Sequence, residues 1–145
     1  MTHSSIARGL LALLCGVQGL GTLVIDLGRT HATNPEWPRH ARYHVVWQVI
    51  SSVLLSIVEL VLVLSAGPFR EDRFYLAAIL ASVPMLGFFG ALIGSRIYGG
   101  ALSDPNGIQP ARIVVFGSEV HIDFSLVTEV VAISMLLAIV LLFRH

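Results

Sequence analysis

His40 and His44 stand one helical turn apart, and Gln48 and Ser51 continue the same stripe at i+4 and i+7 spacing. Imidazole titrates nearest neutral pH, so a histidine held in an apolar setting can give and take protons as a general acid or base. The surrounding stretch, DLGRTHATNPEWPRHARYHVVWQ from Asp26 to Gln48, is the chemical centre of the chain. There an apolar run stops, His31, His40 and His44 crowd together with Arg29, Arg39 and Arg42, and a second apolar run begins. His44, with His40, is the expected proton carrier, and Glu129 or Asp26 would orient or partner it. Arg42, Arg96 and Arg29 each offer a planar fork suited to phosphate or carboxylate. With His31, Asn34, Gln48 and Tyr98 they form the expected binding set for a polar or anionic head group.

Each of these residues also has a plainer reading. Gln48 and Ser51 can serve only interhelical hydrogen bonding. The arginines can snorkel to the membrane interface and pair with Asp26, Glu36 or Asp104, and Trp37, Tyr43, Trp47 and Tyr98 fit an interfacial aromatic belt. An HxxxH pair can also give a metal two ligands, with His31, Asp26 or His121 completing the shell. No cysteine neighbours the pair, no second HxxxH exists, and Arg42 lies between the histidines. Acid-base chemistry is therefore preferred, and neither a metal nor a cofactor is expected. No Walker loop, GxGxxG, CxxC or GxSxG is present, so nucleotide, redox-dithiol and α/β-hydrolase chemistries lack support.

Four elements must position this set. The chain of 145 residues is 55% hydrophobic and only 12% charged, with mean hydropathy +0.81, against about 25% charged in a soluble domain. It reads as one all-α integral membrane domain, a four-helix bundle. The spans are TM1 6–27, TM2 38–65, TM3 74–97 and TM4 125–143. TM1 is too long for the apolar core of a cleaved signal, about 7 to 15 residues. Gly16, Gly19 and Gly21 offer TM1 a close-packing face, and Gly90 with Gly94 makes a GxxxG pair in TM3. Pro38 suits the first turn of TM2, and Pro84 should kink TM3. Between TM3 and TM4, the alternation in RIVVF and EVHIDF about Gly117-Ser118 fits a β-hairpin, the alternative being an irregular lid.

Four spans put loop 1 and loop 3 on one face, and both termini with loop 2 on the other. On depth, His40, His44, Arg42, Arg96 and Glu129 are expected to share one pocket at the loop 1 face. Glu59 falls near the opposite interface, where Arg8 or Arg73 would pair with it. The nine basic residues, all arginine, divide too evenly between the faces to fix orientation. Net charge +0 gives no reason to propose nucleic acid. Cys15, the lone cysteine, permits no intramolecular disulfide. Expected partners are membrane lipids and a lipophilic small molecule, with self-association into a homo-oligomer left open. The plasma membrane is the expected location.

The segment Thr30 to Gln48 resembles a signature of a family of small, poorly characterised four-span integral membrane proteins. The matching positions are Thr30, His31, Asn34, Pro35, Trp37, Pro38, His40, Ala41, Arg42 and His44. That resemblance implies the four-span layout and no particular reaction. A looser likeness connects the chain with membrane-bound glutathione-transferase and eicosanoid enzymes, which carry arginines where Arg42 and Arg96 stand. Their glutamate-arginine opening of TM2 is absent here. Emopamil-binding sterol isomerases share only the logic of histidine and carboxylates moving protons on a lipid. The leading functional expectation is an acid-base enzyme acting on a lipophilic, isoprenoid-like or lipid substrate. A lipid or metal carrier, or an accessory subunit, is the alternative.

The topology makes a direct prediction. In a Cys15→Ser background, cysteines at Asn34 and Asn106 should react with an impermeant maleimide from the same side of the membrane, and one at Glu71 from the other. Labelling of positions 34 and 71 from one side would overturn the four-span arrangement.

Overall fold

The computed structural model describes residues 2–145. Its order is α1 (His3–Asp26), α2 (Arg39–Leu64), α3 (Arg70–Tyr98), β1 (Ala111–Val115), β2 (Ser118–Ile122) and α4 (Phe124–Arg144). All four helices are long and apolar enough to cross a membrane, and the chain is a multi-pass membrane protein. Lengths of 21 to 29 residues correspond to roughly 32 to 44 Å at 1.5 Å per residue, against a hydrocarbon core of about 30 Å.

Local chemistry sets the helix ends. The Thr2 side chain accepts from Ser5 N–H at 3.3 Å to open α1. Asp123 Oδ1 accepts from Ser125 and Leu126 N–H at 2.9 and 3.1 Å to open α4. Pro38 precedes α2, and its carbonyl accepts the Arg42 N–H at 3.1 Å. α3 begins at Arg70, earlier than the apolar run, because the polar residues Arg70 to Arg73 form its first turn with Glu71 and Asp72 at its positive end. It runs unbroken through Pro84.

The helices pack in ring order, α1 on α2 and α4, and α3 on α2 and α4, so α2 and α4 stand diagonally. The core is uneven. Leu11, Leu14, Cys15, Val63, Phe74, Ala77, Ala81, Met85, Leu136 and Ile139 are buried together, and they come from the ends of the helices nearest the termini and loop 2. Phe143 stacks on Phe74 with ring centroids 3.7 Å apart, which pins α4 to α3. Towards loops 1 and 3 the helices bury far less.

The connection between α3 and α4 contains the hairpin, an antiparallel pair with Val115 opposite Ser118 and Ile113 opposite Val120. Its turn is Phe116-Gly117, one residue earlier than the alternation suggests. Both residues have positive φ, 51° and 79°, as a type I′ turn requires, and glycine is placed where that costs least.

Of the glycines, only Gly19 marks a close helix approach. A Cβ there would lie 2.7 Å from Ser56 Oγ and 2.8 Å from Ser56 Cβ, whereas Gly16, Gly21 and Gly90 have open space and Gly94 meets only its own helix's Tyr98. The GxxxG pair of α3 is thus not a helix contact within this chain. Gly19→Ala should lower stability in detergent by about 1–3 kcal/mol, the usual cost of overpacking, while Gly16→Ala should leave it unchanged or slightly raised. Equal midpoints for both variants in a thermal melt would contradict this packing.

Candidate functional site

Three groups of polar residues emerge, and they are not the single pocket expected from depth alone. The first is the fold of loop 1. Its chain turns tightly through Ala32 N–H to Asp26 O at 2.9 Å, His31 N–H to Gly28 O at 3.1 Å and Asn34 N–H to His31 O at 3.0 Å. His31 sits beside Thr30, with Nδ1 to Oγ1 at 2.9 Å, and its Nε2 lies 4.0 Å from Asp26 Oδ1. Trp37 meets the His31 ring edge-on at 5.4 Å. Asn34 is buried: its Oδ1 accepts Glu36 N–H at 3.0 Å, and its Nδ2 donates to Asn106 O at 3.3 Å. That bond ties loop 1 to loop 3, and both loops lie on one face.

The second group is the histidine pair. Nε2 of His40 and Nε2 of His44 are 3.0 Å apart, with the rings at 87°. One imidazole donates this hydrogen bond and the other accepts it. Trp47 stacks on His44 with centroids 5.8 Å apart, and Tyr43 meets it edge-on at 5.9 Å. The pair faces outward: His40, His44, Gln48 and Ser51 are all exposed. The buried stripe of α2 is instead Val49, Ser56, Glu59 and Val63. At about 100° per residue this inner stripe extends back to Arg42, on a different side of the helix from His44.

The expected convergence therefore does not form. Among the described residues no hydrogen bond or ion pair joins His40 or His44 to Asp26, Glu129, Arg42 or Arg96. The reason is the ring order, because Glu129 lies half-buried on α4 and α4 is diagonal to α2. Asp26 lies nearest His31, at 4.0 Å. Tyr98 folds back to donate to Ala91 O at 2.8 Å, so its hydroxyl serves its own helix. Arg29 and Arg96 are exposed and Arg42 is half-buried. Two Nε2 atoms so close could supply two ligands to one metal, but among the described residues no group of three or more His, Cys, Asp or Glu converges.

The third group centres on Glu59, for which the sequence predicts an ion pair with Arg8 or Arg73; no such pair forms among the described residues. Glu59 is 1% exposed, and neither carboxyl oxygen has a hydrogen-bond partner. Arg8 and Arg73 do not pair with it. Arg8 donates to the carbonyls of Val63 and Arg70, and Arg73 donates to those of Ala66, Gly67 and Pro68 at 3.2, 3.2 and 2.7 Å. Helix-end carbonyls of α2 and loop 2 are unpaired by the backbone, carry partial negative charge and take the guanidiniums first. The Cys15 thiol of α1 adjoins the Glu59 carboxyl. One turn further along α1, Gln18 donates to Ala81 O at 3.3 Å and leaves its own carbonyl oxygen unpaired. The signal for this group was the spacing of Val49, Ser56, Glu59 and Val63, a heptad-like seam competing with the more conspicuous HxxxHxxxQ stripe.

No protein-family model, curated protein or solved structure matches the chain.

Asn34 is the measurable link of the loop face. Asn34→Ala leaves Asn106 O and Glu36 N–H without their partner and should cost about 1–3 kcal/mol. Limited proteolysis should then cut within residues 101–110 faster than in the parent chain; unchanged cutting would show that the loops hold together without it.

Proposed function

We propose that the outward face of α2 at the loop 1 end is the working surface of the protein, and that it carries out general acid-base chemistry on a lipophilic molecule with a polar or anionic head. The observation that supports this reading is the His40–His44 contact at 3.0 Å on an exposed face of α2. An ionisable pair within a span is costly to keep unless it is used. In a hydrogen-bonded imidazole pair, a proton lost from His44 is replaced from His40, so one histidine turns over while the other supplies it. A substrate dissolved in the membrane reaches such a pair laterally, without a closed pocket. Trp47 and Tyr43 offer flat apolar surfaces beside it, and Arg29, Arg42 and Arg96 supply positive charge at the same end of the bundle.

A second reading follows from Gln48 and Ser51, which continue the stripe outward at hydrocarbon depth with no partner among the described residues. An amide facing lipid is unfavourable, and a second copy presenting the same stripe would satisfy it as an accessory or binding module without catalysis.

One preparation separates these readings. Protein extracted in mild detergent should hold a lipophilic adduct in its native mass spectrum, and incubation in deuterated water should place solvent deuterium on carbon in that molecule. His44→Ala should slow the incorporation by about 100-fold or more, the scale of a lost acid-base group, with the adduct retained. Equal incorporation in parent and variant would end the enzymatic reading, and dimers lacking an adduct would establish the second.

A further inference from the structure

Among the described residues Glu59 is the one buried carboxyl, and the working surface proposed above makes no use of it. It lies on α2 against α1, where the Cys15 thiol adjoins it and the Gly19–Ser56 contact holds the two helices together next to it. Both carboxyl oxygens are buried, and no group other than the adjoining Cys15 thiol reaches them. The groups that could neutralise a carboxylate here are few. From α1 there is Arg8, nearer the termini, while the Cys15 thiol can offer only a weak hydrogen bond; from the start of α3 there is Arg73; no buried residue of α3 or α4 is titratable. Arg8 and Arg73 are committed to backbone carbonyls. An ionised Glu59 would therefore be an unpaired charge in an apolar interior, a state costing several kcal/mol, and the neutral acid is the form that this packing accepts.

A cavity of about 230 Å³ opens on the face of the termini and loop 2, lined among others by Ser4, Ser5, Arg8, Arg70 and the carboxylate-bearing Glu71. Arg8, only 8% exposed, is among its lining residues and donates to the carbonyl of Val63, which follows Glu59 by one turn of α2, an axial rise of about 6 Å between the two backbone positions. The same guanidinium thus lines the cavity and holds the end of the helix that carries the acid.

We propose that Glu59 is a proton-binding site, protonated in the closed bundle seen here, which exchanges its proton with water in the terminal-face cavity past Arg8. On release, the carboxyl O–H bond breaks, the proton passes to cavity water, and the carboxylate draws the Arg8 guanidinium away from Val63 O. On uptake, the charge is lost and Arg8 returns to the carbonyl. The protein thereby has two arrangements, Arg8 on the α2 end with Glu59 neutral and Arg8 on Glu59 with the acid ionised, whose balance is set by the pH on the terminal side. The site stands independently of the histidine surface, so failure of either leaves the other intact.

Dicyclohexylcarbodiimide tests it, because this apolar reagent adds only to a protonated carboxyl: the acid O–H adds across a C=N bond, and the product rearranges to a stable N-acylurea. In full-length protein in detergent, peptide mapping should find the adduct on Glu59. Its rate of formation should fall about tenfold per pH unit once the carboxyl titrates, and a Glu59→Gln chain should lack it. Arg8→Gln removes the cation that receives the carboxylate, so labelling should persist to higher pH, by about one unit or a tenfold rate difference at a fixed alkaline pH. No adduct on Glu59 in the parent protein, or a rate independent of pH, would overturn the site. An unshifted profile in Arg8→Gln would overturn the exchange past Arg8. Both readouts on the parent chain hold even if Glu59→Gln fails to fold.

Discussion

The close approach of α1 to α2 governs the rest of the molecule. At Gly19 there is no room for a side chain beside Ser56, and a contact this tight fixes not only the distance between two helices but also their rotation. With Ser56 turned inward, the 3.6-residue period places Val49, Glu59 and Val63 inward as well. It also turns His40, His44, Gln48 and Ser51 out. In a membrane, where lipid tails offer no hydrophobic drive between helices, small residues allowing such contact are a principal source of association. One backbone approach therefore decides which of two polar stripes on α2 becomes core and which becomes surface.

The bundle is built in two unlike halves. Towards the termini and loop 2 it is closed, by Phe74 stacked on Phe143, by alanines of α3 that admit close packing, and by two arginines that hold the end of α2. These arginines show how backbone outcompetes side chain: the last carbonyls of a helix have no partner of their own and meet a guanidinium sooner than a carboxylate one or two turns away. Towards loops 1 and 3 the packing loosens, and order comes from hydrogen bonds in the loops, chiefly those of Asn34. The bundle thus has a closely packed end and a more open end.

The hairpin belongs to the open end. Ala111, Ile113, Val115, Val120 and Ile122 lie on one side of it by register, and Arg112, Glu119 and His121 on the other. Glu119 meets Arg112 at 3.7 Å and His121 at 3.3 Å. Exposed ion pairs of this kind contribute little, so the amphipathic alternation, with Asp123 capping the helix that follows, does more to define the segment.

Much of the architecture was written in the sequence. Four apolar runs could only be spans, because a backbone in hydrocarbon must satisfy itself as helix. Alternation about Gly117 could be read as a hairpin, and its turn was misplaced by one residue because alternation reports faces and says nothing of φ. The chemical character of Asp26 to Gln48 was equally legible. Tertiary structure decided which of those residues meet. His40 and His44 are neighbours through one turn of a single helix, and that pairing was readable. Glu129 and His44 lie at matching depth but on diagonal helices, and depth along an axis does not specify rotation about it. For Glu59 the sequence suggests a partner, because charges of opposite sign lie near its end of the bundle. Only the packed structure shows those arginines bound to carbonyls, since a backbone acceptor is present at every residue and leaves no mark in the sequence.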